Sequence, residues 1–425
     1  MKENRQSLFY GYWIVAGCFV LLFLFSGAGF YSFGVFIKPF EDHFGWSRTE
    51  ISLTISIYMI IHGLAGPFVG YITEKQGPKK VMTLFGLISG AAFILVSFTT
   101  SLRYLYLTYG LLALGSTGIG FIPVSSVLSR WFIRRRGTAI GSAMVGIAVG
   151  GLVMAPLTGL INAHFGWRVS FVVLGLLVWL LALPIAFFVI KGSPDEMGLL
   201  PDGDTAEGGR KEKGSVFPSH PLPVSGDGWP LREALKTRAF FWVAATYFLA
   251  PMAQMGMLQH LVPMVTMRGI SEASAAMALG LTAGLGGLGK LSFGRISESI
   301  PFHYAASLCF GLQALAVFIL FSTGSVSMTW VYVILFGFAM GGVIVLMPIA
   351  VGHFFGLAAF SVIMGVVSFL QALGTASGAF LSGLIYDTTG SYENAMVIYM
   401  IVYIAAIAAI LLAGKPRAFQ EHPHT

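Results

Sequence analysis

Lys290 stands in the string GLGGLGKLSFGRISE, inside a stretch otherwise built from small and apolar residues. A lysine near the centre of a bilayer costs about 2.5–3.5 kcal/mol on insertion scales, and such charges usually face a cavity or a partner. A carboxylate brought to the amine offsets that cost, so the chemistry Lys290 points to is recognition of an anion. Lysine offers a point charge, without the bidentate fork of arginine, and a desolvated amine can itself gain and lose a proton. The competing reading is snorkelling. Arg295 and Glu298 follow within one to two turns, about 7–12 Å along a helix axis, partly within reach of a long side chain.

Two histidines lie in or beside apolar stretches, His62 and His260. Histidine changes charge near neutral pH, so each is a candidate for proton coupling, set against a plain hydrogen-bonding role. Tyr31, Ser32, Tyr58, Gln254 and Gln259 are candidate polar lining, and Pro251, Met252, Met255 and Met257 suggest a bent, adaptable wall around Gln254. Packing is the plainer reading for each alone. The same alternative applies to Gly280, Gly284, Gly286, Gly287 and Gly289, just before Lys290: small residues let helices approach closely or leave room for a ligand. Glu74, among Lys75, Lys79 and Lys80, is a candidate charge lock between helices.

The elements that must hold these residues are membrane-scale. Only 10% of the 425 residues are charged and 56% are hydrophobic, and the mean hydropathy of +0.81 leaves too little polar surface for a soluble domain. Windows of the length that crosses a bilayer, about 20 residues, fall at 11–37, 50–72, 79–99, 104–128, 138–160, 169–190, 240–263, 273–296, 303–322, 329–351, 361–384 and 393–413. The fold class expected is an all-α membrane protein with twelve transmembrane helices. Lipid bilayer is the implied surrounding. Cys18 and Cys309 both fall inside spans as small apolar residues and carry no disulfide or metal framework. The spans contain no metal motif and no nucleophile–base set, so neither a cofactor nor an enzymatic activity is expected. The first span is too long for a signal-peptide core.

Charge sets the orientation. With the N-terminus placed in the cytoplasm, 19 of the 25 basic residues fall inside, five (Lys38, Arg48, Arg103, Arg168 and Arg268) fall outside, and Lys290 is left over. Arg134, Arg135 and Arg136 read most simply as part of this bias. Both termini are expected inside. The formal charge of +7 is then a topology signal, and nucleic acid is excluded as a partner because no basic surface is interleaved with exposed aromatics.

The polar stretch 191–238, with Pro194, Pro201, Pro218, Pro221, Pro223 and Pro230, reads as a flexible cytoplasmic linker ending in a short interfacial helix around 231–236. It divides the chain into residues 1–190 and 239–425, two six-helix bundles. The halves repeat at an offset of about 224: Gly70 and Glu74 align with Gly294 and Glu298, HFGWR at 164–168 with TTGSY at 388–392, and RWF at 130–132 with HFF at 353–355, one residue out.

The loop GYITEKQGPKK carries Gly70, Glu74, Lys75, Gly77, Lys79 and Lys80 at the spacing of the motif between the second and third helices of the major facilitator superfamily, which the chain resembles. Within it, the strings GYWIVAGCF, GFYSFGVFIKPF, WFIRRRGTAIGSAMVGIAVGG, QHLVPMVTMRGIS and GLIYDTTGSYENA resemble the monocarboxylate porter and oxalate/formate antiporter group. The resemblance implies two pseudo-symmetric six-helix bundles rocking about a central site, and a gating role for the motif residues together with Glu298. It implies that Lys290, four residues before Gly294, takes the place of a substrate-binding arginine, and that the first helix, with Tyr31, lines the cavity. Three departures stand out. Gly286 replaces an Asp, no lysine occurs at 30–36, and Gln371 falls where oxalate exchangers carry a lysine. A single fixed cation favours a monoanion as cargo.

The function expected is therefore secondary transport of a small monocarboxylate of lactate, pyruvate or formate type, coupled to protons, by a monomer in a bacterial inner membrane. The alternatives are an anion exchanger of the oxalate/formate type and an exporter of lipophilic drugs. The latter usually needs an embedded acid, and none of the 18 acidic residues sits near a span centre.

Overall fold

The computed structural model describes residues 9–204, 228–322 and 325–414. Its described residues are almost wholly helical. We number the membrane-scale helices α1 (Gly11–Phe44), α2 (Arg48–Gln76), α3 (Pro78–Val96), α4 (Leu102–Trp131), α5 and α6 (the two arms of Arg136–Pro184), α7 (Arg238–Gln259), α8 (Glu272–Ser299), α9 (Phe302–Ser322), α10 (Val326–Phe355), α11 (Phe360–Thr389) and α12 (Glu393–Leu412). Among the described residues, ten stretches are each long and apolar enough to cross a membrane. One of them turns at Gly166 and supplies both α5 and α6, and α8 adds a further helix of 28 residues. Twelve helices result.

Local chemistry sets the boundaries. Ser47 and Glu50 close a capping box at the start of α2, with Ser47 Oγ 3.2 Å from Glu50 N and the Glu50 carboxylate 2.9 Å from Ser47 N. Ser271 caps α8 by accepting from Ser274 N at 3.3 Å. Gly77, at φ 82°, ends α2, and Pro78 opens α3 at the position where its missing N–H costs nothing. The first window differs from the continuous helix expected, because α1 loosens into a π turn at Gly27–Tyr31 before resuming at Phe33. Ser32 Oγ, 2.8 Å from Gly27 O and 3.0 Å from Thr158 Oγ1, pins that turn to α5.

The described residues fall into two compact units, one of residues 9–65 and 71–204, the other of 66–70 and 228–414. The duplication is visible in backbone detail. Gly45 and Gly269 have φ of 70° and 82°, and Gly166 and Gly390 have φ of 82° and 68°. Both pairs are separated by 224 residues, as are the capping serines Ser47 and Ser271. At these junctions a left-handed residue reverses the chain, where only glycine escapes the Cβ clash.

Large apolar side chains point outward, among them Leu107, Leu152, Leu180 and Phe380, each more than two-thirds exposed. Water does not tolerate such a surface, and lipid requires it. Cys18 and Cys309 are free, buried thiols.

Of the flexible linker expected across 191–238, the described first part is docked, and the described last part carries the short helix expected around 231–236. Residues 194–204 form two 3-10 turns, and the Asp202 carboxylate accepts the backbone N–H groups of Ile133, Arg134 and Arg135 at 3.0, 2.8 and 3.2 Å. At its far end Trp229 N donates to Phe355 O at 2.9 Å and a short helix, Leu231–Ala234, precedes α7. Pro218, Pro221 and Pro223 lie outside the described residues, as do the basic residues of both termini.

Candidate functional site

Lys290 is 7% exposed. Glycines explain how a lysine comes to be there. A Cβ on Gly289 would sit 1.8 Å from Phe338 O, and one on Gly341 would sit 2.0 Å from Gly286 O and 2.8 Å from Lys290 N. The backbones of α8 and α10 therefore touch at the lysine's own level. Gly280 and Gly284 have open space instead. The glycine run thus divides into a packing half and an unfilled half, and the half beside Lys290 packs.

The amine lies 3.5 Å from Gly286 O, one turn back along α8. That direction runs away from Arg295 and Glu298, as the N-terminal lean of helical side chains dictates. Arg295 and Glu298 pair with each other at 3.4 Å. Among the described residues, no carboxylate lies within ion-pair distance of Lys290 Nζ. Lysine carries three N–H donors, and Gly286 O takes one.

The other candidate lining residues do not share one level. A Cβ on Gly378 of α11 would meet Met252 O of α7 at 1.8 Å, and one on Gly374 would meet Phe248 O at 2.1 Å. The two helices are in register there and run parallel. Gln254 is two residues beyond that contact and Gln371 seven before it, a separation of about 14 Å along the axis. Gln254 Oε1 is buried without a hydrogen-bond partner among the described residues, and Gln371 is half-buried. Tyr31 belongs to the other unit. It ends the π turn of α1, 44% exposed, with its ring against Gly151 of α5.

The two histidines differ. His62 Nδ1 lies 2.7 Å from Thr117 Oγ1, which also lies 2.8 Å from Ala113 O. With the hydroxyl hydrogen on Ala113 O, Nδ1 donates and the Nε2 lone pair is open to a proton; with it on Nδ1, the ring accepts from Thr117 instead. Phe25 and Tyr58 flank the ring at 5.3 and 6.1 Å. His260 uses both nitrogens, Nε2 donating to Ala379 O at 3.1 Å and Nδ1 accepting from Tyr392 Oη at 3.1 Å. It ties the end of α7 to α11 and the start of α12.

Glu74, expected to lock against Lys75, Lys79 and Lys80, has an ion pair with an arginine from another helix. Glu74 Oε1 pairs with Arg130 Nη2 of α4 at 2.8 Å, both side chains about four-fifths buried. The lysines turn to rings. Lys75 Nζ lies 5.2 Å from the Tyr71 ring centre and Lys79 Nζ 4.7 Å from that of Phe187, while Lys80 is exposed. Gly70 lies in the segment 66–70, where an added Cβ would meet Ser361 O at 2.2 Å.

A family model of the Major Facilitator Superfamily matches residues 19–376. The chain belongs to the major facilitator superfamily. Relatives within it include monocarboxylate transporter 12 of Mus musculus, 25% identical over 98% of this chain and 87% of that protein, and monocarboxylate transporter 13 of Rattus norvegicus, 28% identical over 90% and 82%. An uncharacterized transporter, YcxA of Bacillus subtilis, is 25% identical over 95% and 97%. Among solved structures, the human organic anion transporter MFSD10 shares the fold with a TM-score of 0.70 at 13% identity, over 94% of this chain and 99% of that one. This major facilitator protein is a multi-pass membrane transporter.

One buried cation of this facilitator escaped the sequence reading. Arg136, 3% exposed, was counted with Arg134 and Arg135 as a topology charge. Its Nη2 donates to Ser129 O at 2.8 Å and its Nε to Phe132 O at 3.3 Å, with the Asp202 carboxylate close enough to act on it electrostatically. Lys290 is therefore not the sole buried cation. The two differ in what offsets the charge, because Arg136 has carbonyls and a neighbouring acid, and Lys290 has one carbonyl. Three consecutive arginines in a loop sequence gave no sign of which would turn inward.

Proposed function

We propose that this transporter moves small monocarboxylates of lactate, pyruvate or formate type by alternating access, with proton coupling. The observation that carries this reading is the amine of Lys290. It is buried and directed toward the interior of its helix, and among the described residues it has no acidic counter-charge. A single-charged organic anion completes it. A charged hydrogen bond contributes about 1.5–3 kcal/mol, or roughly 10- to 150-fold in affinity. Loading neutralises the amine, so the loaded carrier reorients without carrying a bare charge through a closed state. The relatives named as monocarboxylate transporters support the cargo class, and His62, held through one ring nitrogen where His260 is held through both, is the better placed of the two histidines to take a proton.

The test is uptake of labelled lactate, pyruvate and formate into proteoliposomes, with and without an imposed pH gradient. Wild-type uptake should rise when the outside is acidified. Lys290→Ala should lower it at least about tenfold, as the loss of one such bond predicts, and Lys290→Arg should retain a measurable part. Unchanged uptake by the alanine variant removes Lys290 from the mechanism. Uptake that ignores the pH gradient but requires internal anion makes the protein an exchanger.

A further inference from the structure

We infer that the face of α3 and α6 carries a binding site for an anionic phospholipid, separate from the transport site and independent of the cargo proposed. The two helices enclose an open groove of about 800 Å³, lined by Leu87, Leu176, Trp179, Leu180, Phe187 and Thr83, among others. Its wall offers no free polar group. Thr83 Oγ1 donates to Lys79 O at 2.8 Å, and Trp179 Nε1 donates to Leu87 O at 3.0 Å. Hydrocarbon alone suits such a lining, and the volume falls in the range of about 300–1,000 Å³ typical of ligand pockets.

One end of the groove is charged. Lys79 Nζ rests 4.7 Å above the ring of Phe187, itself a lining residue, which sets an ammonium at the mouth. Lys80 is exposed beside it. Both lie in the first turn of α3, whose free N–H groups add to the positive potential. The chain beyond α6 passes close by, since a Cβ on Gly192 would lie 3.5 Å from Pro78. The nearby carboxylate, Glu196, is held by Gly192 N at 3.0 Å. An apolar slot that ends in two lysines and a helix N-terminus matches an acyl chain bearing an anionic head, since basic clusters at the ends of membrane helices recruit such lipids.

The experiment is native mass spectrometry of the full-length protein with equimolar phosphatidylglycerol and phosphatidylcholine of the same chains. Two lysines at roughly fivefold each should enrich the anionic lipid at least about fivefold in the tightest adduct, and Lys79→Gln with Lys80→Gln should abolish that preference. Lipid brominated on its chains should quench tryptophan fluorescence more in wild type than in Trp179→Phe, and more as phosphatidylglycerol than as phosphatidylcholine. That readout needs no change at the lysines. Equal binding of the two lipids, a preference that survives the double substitution, or displacement by millimolar inorganic phosphate would each overturn the proposal.

Discussion

A lysine pressed between two glycine-packed helices is costly for the fold. The insertion penalty of about 2.5–3.5 kcal/mol is not offset by an acid, because among the described residues Lys290 has only the Gly286 carbonyl at 3.5 Å. Lys290→Met keeps most of the stem volume and removes the charge. It should raise the thermal midpoint of the purified protein by several degrees while transport is lost, the usual exchange between stability and function at such positions. A lower midpoint would mean that the amine stabilises the fold, and would count against its being held for cargo. The residue itself was legible in sequence because its charge contrasts with 56% hydrophobic composition. Arg136 was not, since a run of three arginines hides which one a backbone turn will bury. Nor was Arg130 as the partner of Glu74, because the two are 56 residues apart and only helix packing brings them to 2.8 Å.

Glycine contacts decide how closely the helices of each unit approach. Gly289 and Gly284 lie on the same helix, yet an added Cβ meets Phe338 O at 1.8 Å in the first and nothing within 4 Å in the second. Gly289→Ala should therefore destabilise the protein by about 1–3 kcal/mol through overpacking. Gly284→Ala should leave stability equal or slightly raised, since alanine is favoured over glycine in a helix by about 1 kcal/mol. Thermal unfolding of the two variants side by side makes the comparison, and equal midpoints would refute the packing assignment. The helices themselves were readable from windows of apolar residues. What the windows missed were the interruptions, such as the π turn at Gly27–Tyr31, where a glycine pair lowers helix propensity without changing hydropathy. The docked segment 194–204 was missed for a related reason, because proline and charge resemble a free linker until Asp202 is seen to accept three N–H groups.

For the molecule as a whole, the bias of basic residues sets an orientation that labelling can check. In a variant with Cys18 and Cys309 changed to serine, a cysteine at the exposed position Arg103 should react with an impermeant maleimide on intact cells. One at the exposed position Lys80 should react only after permeabilisation. The reverse pattern would invert the topology. The duplication was readable as three short string matches, and the structure adds a firmer register at the same offset: Gly45 with Gly269, Gly166 with Gly390 and Ser47 with Ser271. Gly166 and Gly390 already lay inside one of the matched strings, whereas Gly45, Gly269 and the two capping serines stood out only once their backbone angles and cap hydrogen bonds were in view.

Sequence alone was enough for the number of membrane helices, the internal repeat and the presence of a cation where lipid should be. All three follow from local composition, which each stretch carries wherever it is placed. Tertiary structure decided which charges are buried, which partners they take and which glycines touch a neighbouring helix. Those outcomes depend on distances of a few ångströms between residues far apart in the chain, and a one-dimensional order of residues does not hold that information.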